Sequence, residues 1–154
     1  WGADEEDARH AGILHDCTKY LSQDEHLALC EKYHVPLDEM ERASEKLLHS
    51  KTGCALAWHV YGQNQQVCRA IYWHTTGKAD MTLLEKILYL ADYMEPNRDF
   101  DGVEELRRLC YEDLDAALTL AFTMSVEDLK ERGKEIHPNT QGALDWMLTH
   151  GKGQ

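Results

Sequence analysis

Apolar residues recur along this chain at three- and four-residue intervals, and no stretch shows the period-two alternation of a half-buried strand. The pattern predicts an all-α fold of about seven to eight helices, with boundaries set by capping residues and breakers. Asp4, with Asp7 three residues on, reads as the N-cap and first-turn acid of a helix reaching about Leu21. Ser22 with Glu25 is a capping box for a second helix, which Pro36 ends. Met40, Ala43 and Leu47 form one stripe of a helix over 38–48, and a further short helix over 50–61 precedes Gly62. Asn64 caps a helix in which Val67, Ala70, Ile71 and His74 fall at i, i+3, i+4 and i+7, so His74 stands on the apolar stripe at the C-terminal end. Thr82 with Glu85 opens the next helix, where Leu84, Leu88, Ala91 and Asp92 share the inward stripe until Pro96 stops it. Helices over 103–110, 114–132 with Gly133 as C-cap, and 140–150 complete the set. No internal repeat or linker interrupts residues 1–154, which predicts a single domain.

A carboxylate on an inward stripe needs a partner, and the charge balance limits what that partner serves. Sixteen Lys and Arg against 28 Asp and Glu give a net charge of −12, a field that repels nucleic acid and anionic lipid. A phosphate ligand must therefore be held locally, and metal ions can do so while offsetting the acids that bind them. No apolar run approaches the ~20 residues that span a bilayer, and no charged-then-apolar leader opens the chain, so the expected location is the cytoplasm. Cys17, Cys30, Cys54, Cys68 and Cys110 include no CxxC, which suits buried thiols in a reducing compartment. The first residue is Trp1 rather than Met, and the chain reads as a fragment whose upstream segment is missing.

Collecting the His and Asp residues on inward faces or helix ends leaves His15-Asp16, His49, His74 and Asp92. Imidazole and carboxylate are the ligands that borderline and hard divalent metals accept, and an Asp can bridge two ions through its two oxygens. His10, His26, His34, His59, His137 and His150 read instead as solvated or hydrogen-bonded side chains. Taken alone, Asp92 reads equally well as a cap or an ion-pair partner.

The order H-D, H, H, D on separate helices comes with the strings AGILHDCTKYL (11–21), LLHSKTGCALA (47–57), IYWHTTG (71–77), LLEKILYLADYMEPNRDF (83–100) and KEIHPNT (134–140). In these the chain resembles the HD-domain superfamily of metal-dependent phosphohydrolases, in its YqeK-type branch of symmetrical bis(5'-nucleosyl)-tetraphosphatases. The resemblance implies an HD-domain helical bundle that hydrolyses diadenosine tetraphosphate to two ADP by a metal-activated hydroxide. It implies a dinuclear centre, with iron as the metal and manganese, nickel, cobalt or zinc still open. His15 and Asp92 would ligate one ion, His49 and His74 the other, and Asp16 would bridge them. Asp16 and Lys19 would serve the catalytic step, and Lys19, Thr75, Thr76, Gly77 and Arg98 would hold the nucleotide substrate. Against these roles, Lys19 also reads as a surface cation and Arg98 as a partner of Asp99. The family carries a further His ligand on an upstream helix, and residues 1–14 supply no replacement because His10 shares the helix of His15. Two alternatives stay open: another HD enzyme, such as a nucleoside monophosphatase or cyclic-nucleotide phosphodiesterase, and a nucleotide-binding module with an incompletely loaded metal site. Neither nucleic acid nor a membrane is expected as a partner, while the aromatic residues, including Trp58, Trp73 and Trp146, leave a homodimer open.

Overall fold

The structure, a computed structural model, describes residues 1–151, and among these it is helical throughout with no strand. In chain order the helices are α1 (Glu5–Leu14), α2 (Gln23–Lys32), α3 (Glu39–Arg42), α4 (Glu45–His59), α5 (Gln65–Trp73), α6 (Leu83–Tyr93), α7 (Val103–Glu112), α8 (Leu114–Glu131) and α9 (Pro138–His150). The expected N-caps of α1, α2 and α5 are in place. Asp4 accepts from the Asp7 amide at 2.9 Å, Asn64 accepts from Val67 at 3.0 Å, and Ser22 and Glu25 form the reciprocal box. Gly133 adopts φ +62°, the left-handed conformation expected of a residue that ends α8. No described helix is long and apolar enough to cross a membrane, and none of the five cysteines is in a disulfide.

Two boundaries differ from the sequence expectation, and both bear on the site. The first helix does not run to Leu21 but ends at Leu14, because the His15 ring takes the Gly12 carbonyl at 2.6 Å, the acceptor that the next helical amide would use. The chain then tightens into turns closed three residues apart: Cys17 to Leu14, Lys19 to Asp16 and Leu21 to Thr18. The second difference is a break at Ala43–Ser44. Asp38 and Glu41 close a capping box over a four-residue helix, and the Ser44 hydroxyl caps α4 by accepting from Leu47. The expected helices over 38–48 and 50–61 are thus redistributed into α3 and a continuous α4, with His49 inside α4 rather than at its start.

The chain falls into two compact units, one of Trp1–Thr75 with Leu83–Leu88, the other of Thr76–Thr82 and the residues from Tyr89 onward. The core of the first joins Ala11 of α1, Ala57 of α4, Val67, Cys68, Ala70 and Ile71 of α5, and Leu84 and Leu88 of α6. Alanines at three of these positions let the helices approach closely. In the second unit Leu106 of α7, Leu118, Ala121, Phe122 and Val126 of α8, and Ala143 and Met147 of α9 are buried. Gly77 stands in this unit at φ +66°, where an added Cβ would lie 2.3 Å from Phe122 Cζ.

Candidate metal centre

Two imidazoles of the first unit are oriented by one local device. His15 Nδ1 lies 2.6 Å from the Gly12 carbonyl and His74 Nδ1 lies 2.6 Å from the Ile71 carbonyl, in each case three residues back along the chain. A ring that donates through Nδ1 offers its Nε2 lone pair to a metal when neutral and, when protonated, donates from Nε2 to a carboxylate such as Asp16. Burial pushes the His49 pKa down to about 4, with the neighbouring His74 acting in the same direction, so this ring is neutral at pH 7.

These rings converge on Asp16. His49 Nε2 is 3.0 Å from His74 Nε2, and Asp16 Oδ1 lies 3.2 Å from the first and 3.5 Å from the second. Bonds of about 2.0–2.2 Å to one ion place neighbouring donors about 3 to 3.5 Å apart, so the spacing fits a shared cation. Two imidazole nitrogens and a carboxylate oxygen at this mutual spacing are a mixed donor set that fits a transition-metal ion. The other carboxylate oxygen looks elsewhere: Asp16 Oδ2 is 3.5 Å from His15 Nε2 and 3.2 Å from Lys19 Nζ. The His15 ring stands edge-on to His74 with centroids 5.1 Å apart. Hydrogen bonding to His74, and then the positive ends of His15 and Lys19, hold the Asp16 carboxyl far below the usual carboxylate range despite partial burial.

The remaining expected site residues divide between the units. Thr75, in the first, has its hydroxyl 3.0 Å from Ser50 Oγ, which itself donates to the Leu47 carbonyl. Thr76 and Gly77 are buried in the second unit. The Thr76 hydroxyl donates to the Gly77 carbonyl at 2.9 Å, and the Thr76 carbonyl accepts from Thr140 at 2.9 Å. The polar groups expected to meet phosphate or ribose at Thr76 are thus engaged inside the protein, and Gly77 is a packing position against Phe122. Asp92 lies on the part of α6 that belongs to the second unit, where the Arg98 guanidinium approaches it at 3.7 Å and Glu95 at 3.8 Å. Arg98 thus faces Asp92 and Glu95, while its expected competitor was Asp99.

A family model described as HD domain matches residues 1–97 of this sequence. The chain belongs to the HD domain family. A protein of Bacillus subtilis (strain 168) named "Bis(5'-nucleosyl)-tetraphosphatase, symmetrical" is 34% identical over 150 residues, covering 97% of this HD domain chain and 80% of its own length. A protein of the same name from Halalkalibacterium halodurans is 35% identical over 153 residues, with 99% and 81% of the two chains covered. A crystal structure from Clostridium acetobutylicum, described as a predicted HD superfamily hydrolase involved in NAD metabolism, matches with a TM-score of 0.90 at 39% identity over 95% of this chain and 78% of that one. Dependence on a divalent metal goes with the HD domain family, and the His-Asp clusters supply donors for it.

One polar residue of this HD domain protein escaped the sequence reading. Arg107 of α7 gathers the turn after α6, donating to the carbonyls of Met94 at 3.1 Å, Glu95 at 3.0 Å and Arg98 at 2.8 Å, while pairing with Glu104. Its Glu104 partner at i−3 advertises an ordinary surface pair, and nothing in the local sequence shows that a fork of five N–H donors is turned onto a loop nine to thirteen residues away.

Proposed function

We propose that this protein hydrolyses dinucleoside tetraphosphates, diadenosine tetraphosphate among them, symmetrically to two nucleoside diphosphates at a transition-metal centre. The observation that carries the reading is the meeting of His49 Nε2, His74 Nε2 and Asp16 Oδ1 within 3.5 Å, in a chain whose relatives are named for this reaction. Asp16 turns its second oxygen toward His15, which favours a pair of ions with the carboxylate between them. Asp92 enters as a ligand from the family resemblance alone. Iron is the proposed metal, and manganese, nickel, cobalt and zinc satisfy the same mixed nitrogen and oxygen donors.

Such an ion, when bound, lowers the pKa of water toward about 7 and polarises phosphoryl oxygen. The chain's own residues prepare for this chemistry. Asp16 stays ionised well into acid, and the carbonyl bonds at Nδ1 aim the His15 and His74 rings before any ligand arrives. The Lys19 ammonium and the Arg98 guanidinium, each about half exposed, supply cations for the polyphosphate chain. Water adds to one of the two inner phosphorus atoms, and the oxygen between those atoms leaves with its electron pair, so one tetraphosphate and one water give two diphosphates.

Chromatography of early time points tests the reading: ADP is the sole product expected from diadenosine tetraphosphate, and AMP accumulating with ATP overturns it. Metal analysis tests the ligands. His49→Ala and His74→Ala should each release one ion per chain and leave helical circular dichroism unchanged. Full metal content in both variants refutes their assignment.

A further inference from the structure

Beneath the metal cluster runs a chain of buried hydroxyls that the ligand set does not use. Thr18, two residues past Asp16, is 1% exposed and donates to the main-chain carbonyl of His49 at 2.9 Å. Thr52, on α4 three residues past His49, donates to Thr18 Oγ1 at 2.9 Å. His26 of α2 reaches Thr52 Oγ1 through Nδ1, also at 2.9 Å. Counting protons fixes the direction. Thr18 spends its proton on His49 and Thr52 spends its own on Thr18, so His26 Nδ1–H must donate into Thr52. That leaves His26 a neutral ring whose Nε2 is buried without a hydrogen-bond partner, and burial lowers its pKa accordingly. The alternative acceptor for the Thr52 proton, the Leu48 carbonyl at 3.1 Å, is the longer contact.

Gly53 shows how closely α4 sits on the turn that carries the His15-Asp16 pair. A Cβ there would meet the His15 carbonyl at 3.4 Å, Thr18 Oγ1 at 3.6 Å and Ile71 Cγ2 at 3.3 Å. With no side chain intervening, the Thr18 hydroxyl is a direct strut between the residue run of one ligand and the backbone of another.

We propose that Thr18 is a positioning residue of the metal centre, its hydroxyl holding α4 at His49 in register with the Asp16 turn, and that Thr52 and His26 fix the direction of that hydroxyl. The inference deepens the metal-centre reading and rests on it. The Asp16 Oδ1 to His49 Nε2 spacing of 3.2 Å depends on this register, and the Thr18 hydroxyl sets it by a hydrogen bond that spans 31 positions of the chain. Loss of a group that orients a ligand typically costs about 10–100-fold in metal affinity.

The test is titration of cobalt(II) into metal-free protein, followed by its visible d–d absorption, for the wild type and for Thr18→Ser, Thr18→Ala, Thr18→Val and Asp16→Ala. Thr18→Ala and Thr18→Val are expected to bind cobalt about 10–100-fold more weakly with an altered band, and Thr18→Ser to keep the wild-type affinity and band. If Thr18→Val does not fold, the comparison of Ala with Ser decides, since these differ by the hydroxyl alone. A Ser variant as weak as Ala, or an Ala variant as tight as wild type, overturns the proposal. Cobalt binding that survives Asp16→Ala unchanged brings down the metal-centre reading itself, whereas loss there combined with wild-type behaviour in Thr18→Ala removes only the role of Thr18.

Discussion

Asp16→Ala is expected to empty the metal centre and reduce hydrolysis of dinucleoside tetraphosphate to background, the largest functional effect of any single substitution in this chain. Its two oxygens face different donors, Oδ1 toward His49 and His74 and Oδ2 toward His15 and Lys19. On the proposed two-ion reading, removing it takes a ligand from two places at once, while each imidazole serves one. Losing an outer partner of a ligand costs about 10–100-fold in metal affinity, so losing the ligand itself should exceed about 100-fold. It also leaves the Lys19 ammonium without its carboxylate, adding positive charge beside a cation site. Metal content by mass spectrometry, read beside turnover, checks this. A variant that retains wild-type metal but loses activity would sink the ligand role and leave Asp16 some other part in the reaction.

Gly77→Ala should be the most damaging small change to stability. The position needs φ +66°, and the new methyl would lie 2.3 Å from Phe122 Cζ and 2.5 Å from Cε1, a ring with no exposed surface to retreat into. Left-handed backbone in a non-glycine residue costs about 1–3 kcal/mol and overpacking a core adds about 1–3 kcal/mol, so a total of about 2–6 kcal/mol is expected. In a chain of this size that lowers the melting temperature by roughly 5–15 °C. Gly142 is the control. It sits inside α9 with nothing within 4 Å of an added Cβ, so alanine there should stabilise by up to about 1 kcal/mol. Equal melting of Gly77→Ala and the wild type would contradict the packing described here.

The contrast between Gly77 and Asp16 shows what the sequence made legible. Capping boxes and apolar stripes are local rules, so α2, α5 and α6 could be read directly, and with them His74 and Asp92 at helix ends. The order of His and Asp residues along these helices, together with the local wording, singled out candidate ligands, of which the structure brings His49, His74 and Asp16 together. Where reading failed, a side chain competed with the backbone or acted at a distance. The His15 ring's capture of the Gly12 carbonyl ends α1 early, and periodicity has no signal for that event. The Ser44 cap was hidden because Met40, Ala43 and Leu47 continue the stripe across the break. Gly77 looked like part of a phosphate-binding run because HTTG is polar and small, but its conformation is required by an aromatic ring 45 positions later in the chain, Phe122. The Thr18, Thr52 and His26 relay joins residues 26 to 34 positions apart, a distance over which no spacing rule operates.

The carbonyl three residues behind each of His15 and His74 makes each of these candidate ligands a four-residue module. The aim of the ring is written into the same stretch of backbone that carries it, so each is oriented as soon as its own turn forms, before distant helices meet. The rotational entropy of these two imidazoles is therefore surrendered during folding and not at the moment a ligand arrives. The same economy sets what can be transplanted: a helix moved to another scaffold would carry its aimed histidine with it, whereas the Asp16 carboxylate, oriented in part by His49 and His74 from two other segments, would not travel.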